Sequence, residues 1–180
     1  MKTIIYILLL LGSLSAQAET AYLAGGCFWG MEELIRAHKG VTKTEVGYTG
    51  GQTPNAVYSL VKTGTTGHAE SIKVDFDSKQ LSYEELLLFF FKIHDPTTKN
   101  QQGNDIGTQY RSAIFYVNDS QRAAAEKVFT RVEGSKAWKK PLTTEIKPFT
   151  KWFKAEDYHQ AYLQKNPGGY TCHSIRDLKF

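Results

Sequence analysis

Between Ala69 and His94 the hydrophobic period of the chain switches, and that switch limits the fold more than any other feature. Ile72, Val74 and Phe76 alternate with polar residues, the pattern of a strand with one buried face. Ser82 and Glu85 then stand three apart, ahead of Leu86, Leu87, Phe89 and Phe90. This is a capping box opening an apolar helix over 82–94, which Pro96 ends. The alternation recurs along the chain. Residues 20–23 read as a short strand, 28–38 as a helix on Met31, Leu34 and Ile35, and 41–48 as a strand. A short helix is expected at 55–61 and a strand at 111–117. Asn118 caps a helix to about 132, 143–146 is a weak strand, and 155–163 reads as a helix that Pro167-Gly168-Gly169 breaks. Strands interspersed with helices predict an α/β fold of the α+β two-layer kind: a mixed β-sheet with helices packed on it. The element lengths fit a split β-α-β, ferredoxin-like core with a long irregular C-terminal tail. Residues 95–109 are polar and have no period, and a loop that long marks a functional or disordered segment.

The 180 residues suffice for one domain. The first of them read as a targeting segment. Lys2 precedes an apolar run from Ile4 to Leu11, and Ala16-Gln17-Ala18 gives the small-x-small ending of a secretory signal peptide. The run is far short of the roughly 20 residues that a membrane-spanning helix needs. Cleavage is expected after Ala18, leaving 19–180 as a single domain, exported to the periplasm or secreted, with no membrane attachment. A monomer is expected. The net charge of +4 is mild. The basic residues are dispersed except for Lys136, Lys139 and Lys140 around Trp138, which argues against nucleic acid as a partner.

Only two cysteines are present, Cys27 and Cys172. In an oxidising compartment they can form a permanent disulfide, or a redox pair that opens and closes. Cys27 lies in Ala24-Gly25-Gly26-Cys27-Phe28-Trp29-Gly30, where a strand runs into a helix. Unpaired N–H groups at a helix start lower a thiol pKa and favour the thiolate. The flanking glycines leave room for approach, and Phe28 and Trp29 offer an apolar wall. A lipid anchor is disfavoured, because Leu23 stands one position too early for a lipobox and Glu19 separates the cysteine from the apolar run. A metal site is not expected: no Cys-x-x-Cys exists, and adjacent Cys172 and His173 rarely chelate one ion.

Gly26-Cys27-Phe28-Trp29-Gly30 resembles the signature of the peptide methionine sulfoxide reductase A family. So do Gly67-His68-Ala69-Glu70, His94-Asp95-Pro96-Thr97, Gln102-Gly103-Asn104-Asp105 with Gly107-Thr108-Gln109-Tyr110-Arg111-Ser112, and Asp157-Tyr158-His159-Gln160-Ala161-Tyr162-Leu163 with Asn166-Pro167-Gly168-Gly169-Tyr170. The resemblance implies an oxidoreductase that converts methionine-S-sulfoxide, free or in proteins, to methionine as repair of oxidative damage. It implies Cys27 as the nucleophile and Glu70 as the acid, its pKa raised among aromatics. Tyr58 and Tyr110 carry over as hydroxyl donors to the sulfoxide oxygen, and Asp105 as a polar group orienting substrate or a water. Phe28 and Trp29, with Tyr162 as a weaker candidate, carry over as the wall for the S-methyl group. Cys172 carries over as the resolving thiol, swinging in on Gly168 and Gly169 to close on a Cys27 sulfenic acid. No cofactor is implied beyond an external, thioredoxin-like dithiol. Two departures stand out: no cysteine follows Cys172, and Thr171 separates Tyr170 from it. A different class of reading is a secreted, non-catalytic methionine-binding module with a structural disulfide.

Overall fold

The structure is a computed structural model that describes residues 18–180. The expected signal segment lies outside the described residues, apart from Ala18. Thirteen helices and strands follow in order: β1 (Ala18–Gly25), α1 (Phe28–Arg36), β2 (Val41–Thr49), α2 (Tyr58–Val61), β3 (Ala69–Asp77), α3 (Tyr83–Ile93), β4 (Gln101–Gln102), β5 (Asp105–Ile106), β6 (Ser112–Tyr116), α4 (Asp119–Ser135), β7 (Glu145–Pro148), β8 (Phe153–Lys154) and α5 (Tyr162–Lys165).

The main sheet runs β7-β6-β1-β3-β2-β8. β1 is antiparallel to both β3 and β6, β2 is antiparallel to β3 and β8, and β7 is parallel to β6. β3 therefore lies between the parallel pair β1 and β2, and β1 between the parallel pair β3 and β6. This is the split β-α-β arrangement expected from the sequence, in a mixed sheet with helices on one face.

Strand alternation sorts the side chains. Leu23, Ile72, Val74, Phe76 and Ile114 form one buried cluster with Met31 and Ile35 of α1, Leu86, Leu87 and Phe90 of α3, and Val128 of α4. Each such burial is worth roughly 1.5–3 kcal/mol. Ala24, Ala69, Ala113 and Phe115 point the other way, where Phe149 stacks on Tyr22 at 3.9 Å between ring centroids. Glu70 shares the parity of Ile72 and Val74, so it faces the helices.

The caps form as the sequence predicts. Glu85 N–H donates to Ser82 Oγ at 3.2 Å and Ser82 N–H to Glu85 Oε2 at 2.9 Å. Asn118 Oδ1 accepts from Gln121 N–H at 2.8 Å. Three boundaries move. The helix expected at 55–61 is confined to Tyr58–Val61, the strand expected at 143–146 is Glu145–Pro148, and the featureless 95–109 segment holds the small β4–β5 hairpin.

The helix expected over 155–163 does not form there; only Tyr162–Lys165 is helical. Side chains occupy the backbone groups a longer helix would use. Gln160 accepts from Val46 N–H at 3.0 Å and donates to the carbonyls of Val46 at 2.9 Å and Ala155 at 2.8 Å. Buried Glu32 accepts from Ala161 N–H at 2.8 Å, and Ala161 sits in the left-handed region at φ 52°. The last residues, from Tyr170 on, are irregular.

Candidate active site

Cys27 is the N-cap residue of α1, two residues after the last residue of β1. Gly26 is required between them. Its φ is +101°, and a Cβ there would lie 2.3 Å from Gln102 Cγ. Gly30 makes room for the chain's own C-terminal tail: a Cβ there would lie 2.3 Å from Thr171 Oγ1.

The thiol does not behave as the helix-start argument predicts. Burial, the largest influence, and the neighbouring Glu70 carboxyl push its pKa well up, against a smaller lowering by the Trp29 N–H. Cys27 rests as a thiol, not as a standing thiolate. The single backbone donor at this helix start does not offset taking an anion out of water.

Glu70 behaves as expected. It is 3% exposed, and burial pushes its carboxyl up to about 8, against the opposing hydrogen bond from Phe28 N–H to Oε2 at 3.2 Å. It holds a proton at neutral pH. Neutral Glu70 also withdraws its share of the pressure on Cys27, so the doubly protonated pair is the resting state.

Both groups line a pocket of about 160 Å³ with Phe28, Trp29, Tyr58, Asp105, Tyr110 and Tyr170. A larger cleft of about 310 Å³ lies around Trp138 and Lys139, but no thiol lines it. Burial raises the pKa of both Tyr58 and Tyr110, with Glu70 second, so both phenols stay protonated donors. The pocket thus gathers an apolar wall, a thiol, a protonated carboxyl and two phenols. That set suits a small apolar group carrying one strongly accepting oxygen.

Three residues make contacts that the sequence did not show. Asp105 Oδ2 is already engaged, accepting from Cys172 Sγ and from the Tyr170 hydroxyl, each at 3.2 Å. Cys172 stands close to the pocket: its Sγ is 3.2 Å from Asp105 Oδ2, and Asp105 lines the pocket with Cys27. Burial and Asp105 push its thiol up to about 12. Tyr162 is absent from the pocket wall. It stacks on the outer face of Trp29, with centroids 3.7 Å apart and planes 11° from parallel.

Several contributors escaped the sequence reading. His159 Nδ1 accepts from the Trp29 indole N–H at 3.0 Å and, with Tyr162, fixes that ring. Glu156 accepts from Tyr58 N–H at 2.8 Å and from the Tyr48 hydroxyl at 2.9 Å, which sets the start of α2 and hence the Tyr58 phenol. Tyr170 joins the pocket wall. His159 and Tyr170 stand inside motifs that carry the resemblance, but nothing in their spacing reveals which ring they face.

The sequence model for peptide methionine sulfoxide reductase matches residues 19–179. The chain belongs to the peptide methionine sulfoxide reductase family. Its relative "Peptide methionine sulfoxide reductase MsrA" of Streptomyces coelicolor is 55% identical over 163 residues, 91% of this chain and 92% of that protein. The crystal structure of reduced Mxr1 from Saccharomyces cerevisiae superimposes with a TM-score of 0.84 at 39% identity, covering 91% of this chain and 94% of that one. Mxr1 in complex with Trx2 matches with a TM-score of 0.61 at 26% identity over 98% and 97% of the two chains. The non-catalytic alternative loses its support, because the relatives are named as reductases.

Proposed function

We propose that the pocket reduces methionine-S-sulfoxide, free or in proteins, to methionine, with Cys27 as the nucleophile and Glu70 as the acid. The observation that carries this is the convergence of a thiol, a protonated carboxyl near pKa 8 and two phenols on one pocket of about 160 Å³. The sulfoxide oxygen accepts from Tyr58, Tyr110 and Glu70, which makes its sulfur more electrophilic. The S-methyl group packs on Phe28 and Trp29, where its burial contributes on the order of 1 kcal/mol. Glu70 protonates the sulfoxide oxygen and takes the Cys27 thiol proton in exchange as the Cys27 sulfur bonds to the substrate sulfur. That bond and the substrate S–O bond then break, the oxygen passes to Cys27 as a sulfenic acid, and methionine departs.

The Cys172 thiol then attacks the Cys27 sulfur, the S–O bond breaks and water leaves. A dithiol reopens the Cys27–Cys172 bond by exchange. The yeast Mxr1–Trx2 complex supports a thioredoxin-like protein as that donor. Residues 1–18 act in this reading as an export signal cut after Ala18. The catalytic domain 19–180 would then work in the periplasm or outside the cell, with a donor resident there; N-terminal sequencing of the exported protein tests this, with Glu19 as the expected first residue.

The activity test offers a peptide with racemic methionine sulfoxide and excess dithiothreitol. The S epimer should disappear while the R epimer persists. No turnover with both thiols present, or equal loss of both epimers, would refute the assignment.

A further inference from the structure

We infer that His173 is the positioning residue of the resolving half-reaction: it latches the C-terminal tail so that Cys172 waits beside Cys27. The inference rests on Cys172 being the resolving thiol. His173 is 8% exposed. Its Nε2 lies 2.7 Å from the Gly25 carbonyl oxygen. A carbonyl only accepts, so Nε2 carries the proton and donates. The bond ties the tail to the end of β1, two residues before Cys27.

The ring sits in a space prepared for it. A Cβ on Gly30 would come within 2.6 Å of His173 Nδ1 and 2.3 Å of Thr171 Oγ1, and one on Gly26 within 3.4 Å of His173 Cε1. His173 N–H bonds Thr171 Oγ1 at 3.2 Å, tightening the turn that carries Cys172. The extra threonine between Tyr170 and Cys172 thus has a local role in this chain. On the other side Gln102 Nε2 donates to the Cys172 carbonyl at 3.4 Å.

With the ring tied to Gly25, the Cys172 thiol lies 3.2 Å from Asp105 Oδ2 and 3.6 Å from His173 Nδ1, the nitrogen left free to accept, and Asp105 also lines the Cys27 pocket. The step it serves balances as follows. The Cys172 sulfur bonds to the Cys27 sulfur and gives up its proton to the departing oxygen. The Cys27 S–O bond breaks, and its oxygen leaves as water with that proton. Cys172 is oxidised, the Cys27 sulfenic sulfur is reduced, and the oxygen came from the sulfoxide. Holding the thiol in place before the sulfenic acid forms turns this into a step between prepositioned partners. It also shortens the life of a species that over-oxidises.

Single-turnover measurements on the full mature protein without reductant test the latch. They follow methionine release, Cys27–Cys172 formation and dimedone capture of the Cys27 sulfenic acid. His173→Ala should release methionine at the wild-type rate but form the disulfide about tenfold more slowly, the loss expected for one buried hydrogen bond, and dimedone labelling should rise in step. His173→Gln, whose amide N–H reaches Gly25, should recover most of the disulfide rate. Gly30→Ala, a better helix former that invades the ring's space, should reproduce the slow disulfide. A disulfide as fast in His173→Ala as in wild type, or as slow in His173→Gln as in His173→Ala, would overturn the latch. A wild-type enzyme that turns over without ever forming the Cys27–Cys172 bond would instead overturn the resolving assignment and the latch with it.

Discussion

Replacing Glu70 with glutamine separates what this carboxyl does for the reaction from what it costs the fold. Burial carries its pKa from 4.5 to about 8. Between those values the folded protein holds a proton that the unfolded chain has released. The stability linked to this group is therefore fully present below pH 4.5 and is lost as pH rises towards 8. One pKa unit is worth about 1.4 kcal/mol, so the ionisable side chain costs the folded state roughly 3 kcal/mol at pH 7 and about 5 kcal/mol above pH 8. Glutamine has nearly the same shape, offers a carbonyl oxygen to the Phe28 N–H, and does not ionise. Glu70→Gln should therefore be more stable than wild type by about 3 kcal/mol at pH 7, with a gap that closes near pH 4.5 and widens towards pH 8. Sulfoxide reduction should fall by about 10²–10⁴, the usual worth of a positioned acid. Urea unfolding of both proteins at several pH values, with activity measured in parallel, reads both effects. A stability difference that does not change with pH, or a glutamine variant less stable than wild type at neutral pH, would refute the buried protonated carboxyl.

Two further outcomes follow from contacts outside the reacting atoms. Tyr162 supports Trp29 by stacking, so Tyr162→Phe should keep kcat/KM, whereas Tyr162→Ala should lower it by up to about tenfold, in line with 0.5–1.5 kcal/mol for an aromatic pair. Ser82 makes both arms of the α3 capping box far from the pocket, so Ser82→Ala should cost about 1 kcal/mol of stability, about 2–4 °C in Tm, with activity unchanged.

The core of the fold was legible because its signals are local and strong. Ile72, Val74 and Phe76 alternate, Ser82 and Glu85 cap α3, Asn118 caps α4, and the sheet they build has the split β-α-β order. The stretch 155–163 was not legible. Its apolar spacing suits a helix, yet Gln160 and Glu32 bind backbone groups far away in sequence, Val46 and Ala161, and no local pattern reports such a bond. The β4 and β5 strands are two residues each, too short to show a period.

The same division holds in the site. Cys27, Glu70, Tyr58 and Tyr110 face one pocket as the motifs implied, because each sits at a defined end of a strand or helix. What the sequence hid depends on the tail's return: Tyr170 in the pocket wall, Cys172 already on Asp105, and Tyr162 behind Trp29 rather than beside the ligand. The Cys27 pKa went the other way from the helix-start argument because sequence shows the donors at a helix end but not the depth of burial.

The most direct test of the division of labour between the two thiols is a single-turnover reaction of Cys172→Ser with methionine-S-sulfoxide in the absence of reductant. The account predicts one methionine released per enzyme molecule, and a Cys27 sulfenic acid that mass spectrometry finds on that residue. No methionine, or an oxidised sulfur anywhere but Cys27, would contradict it.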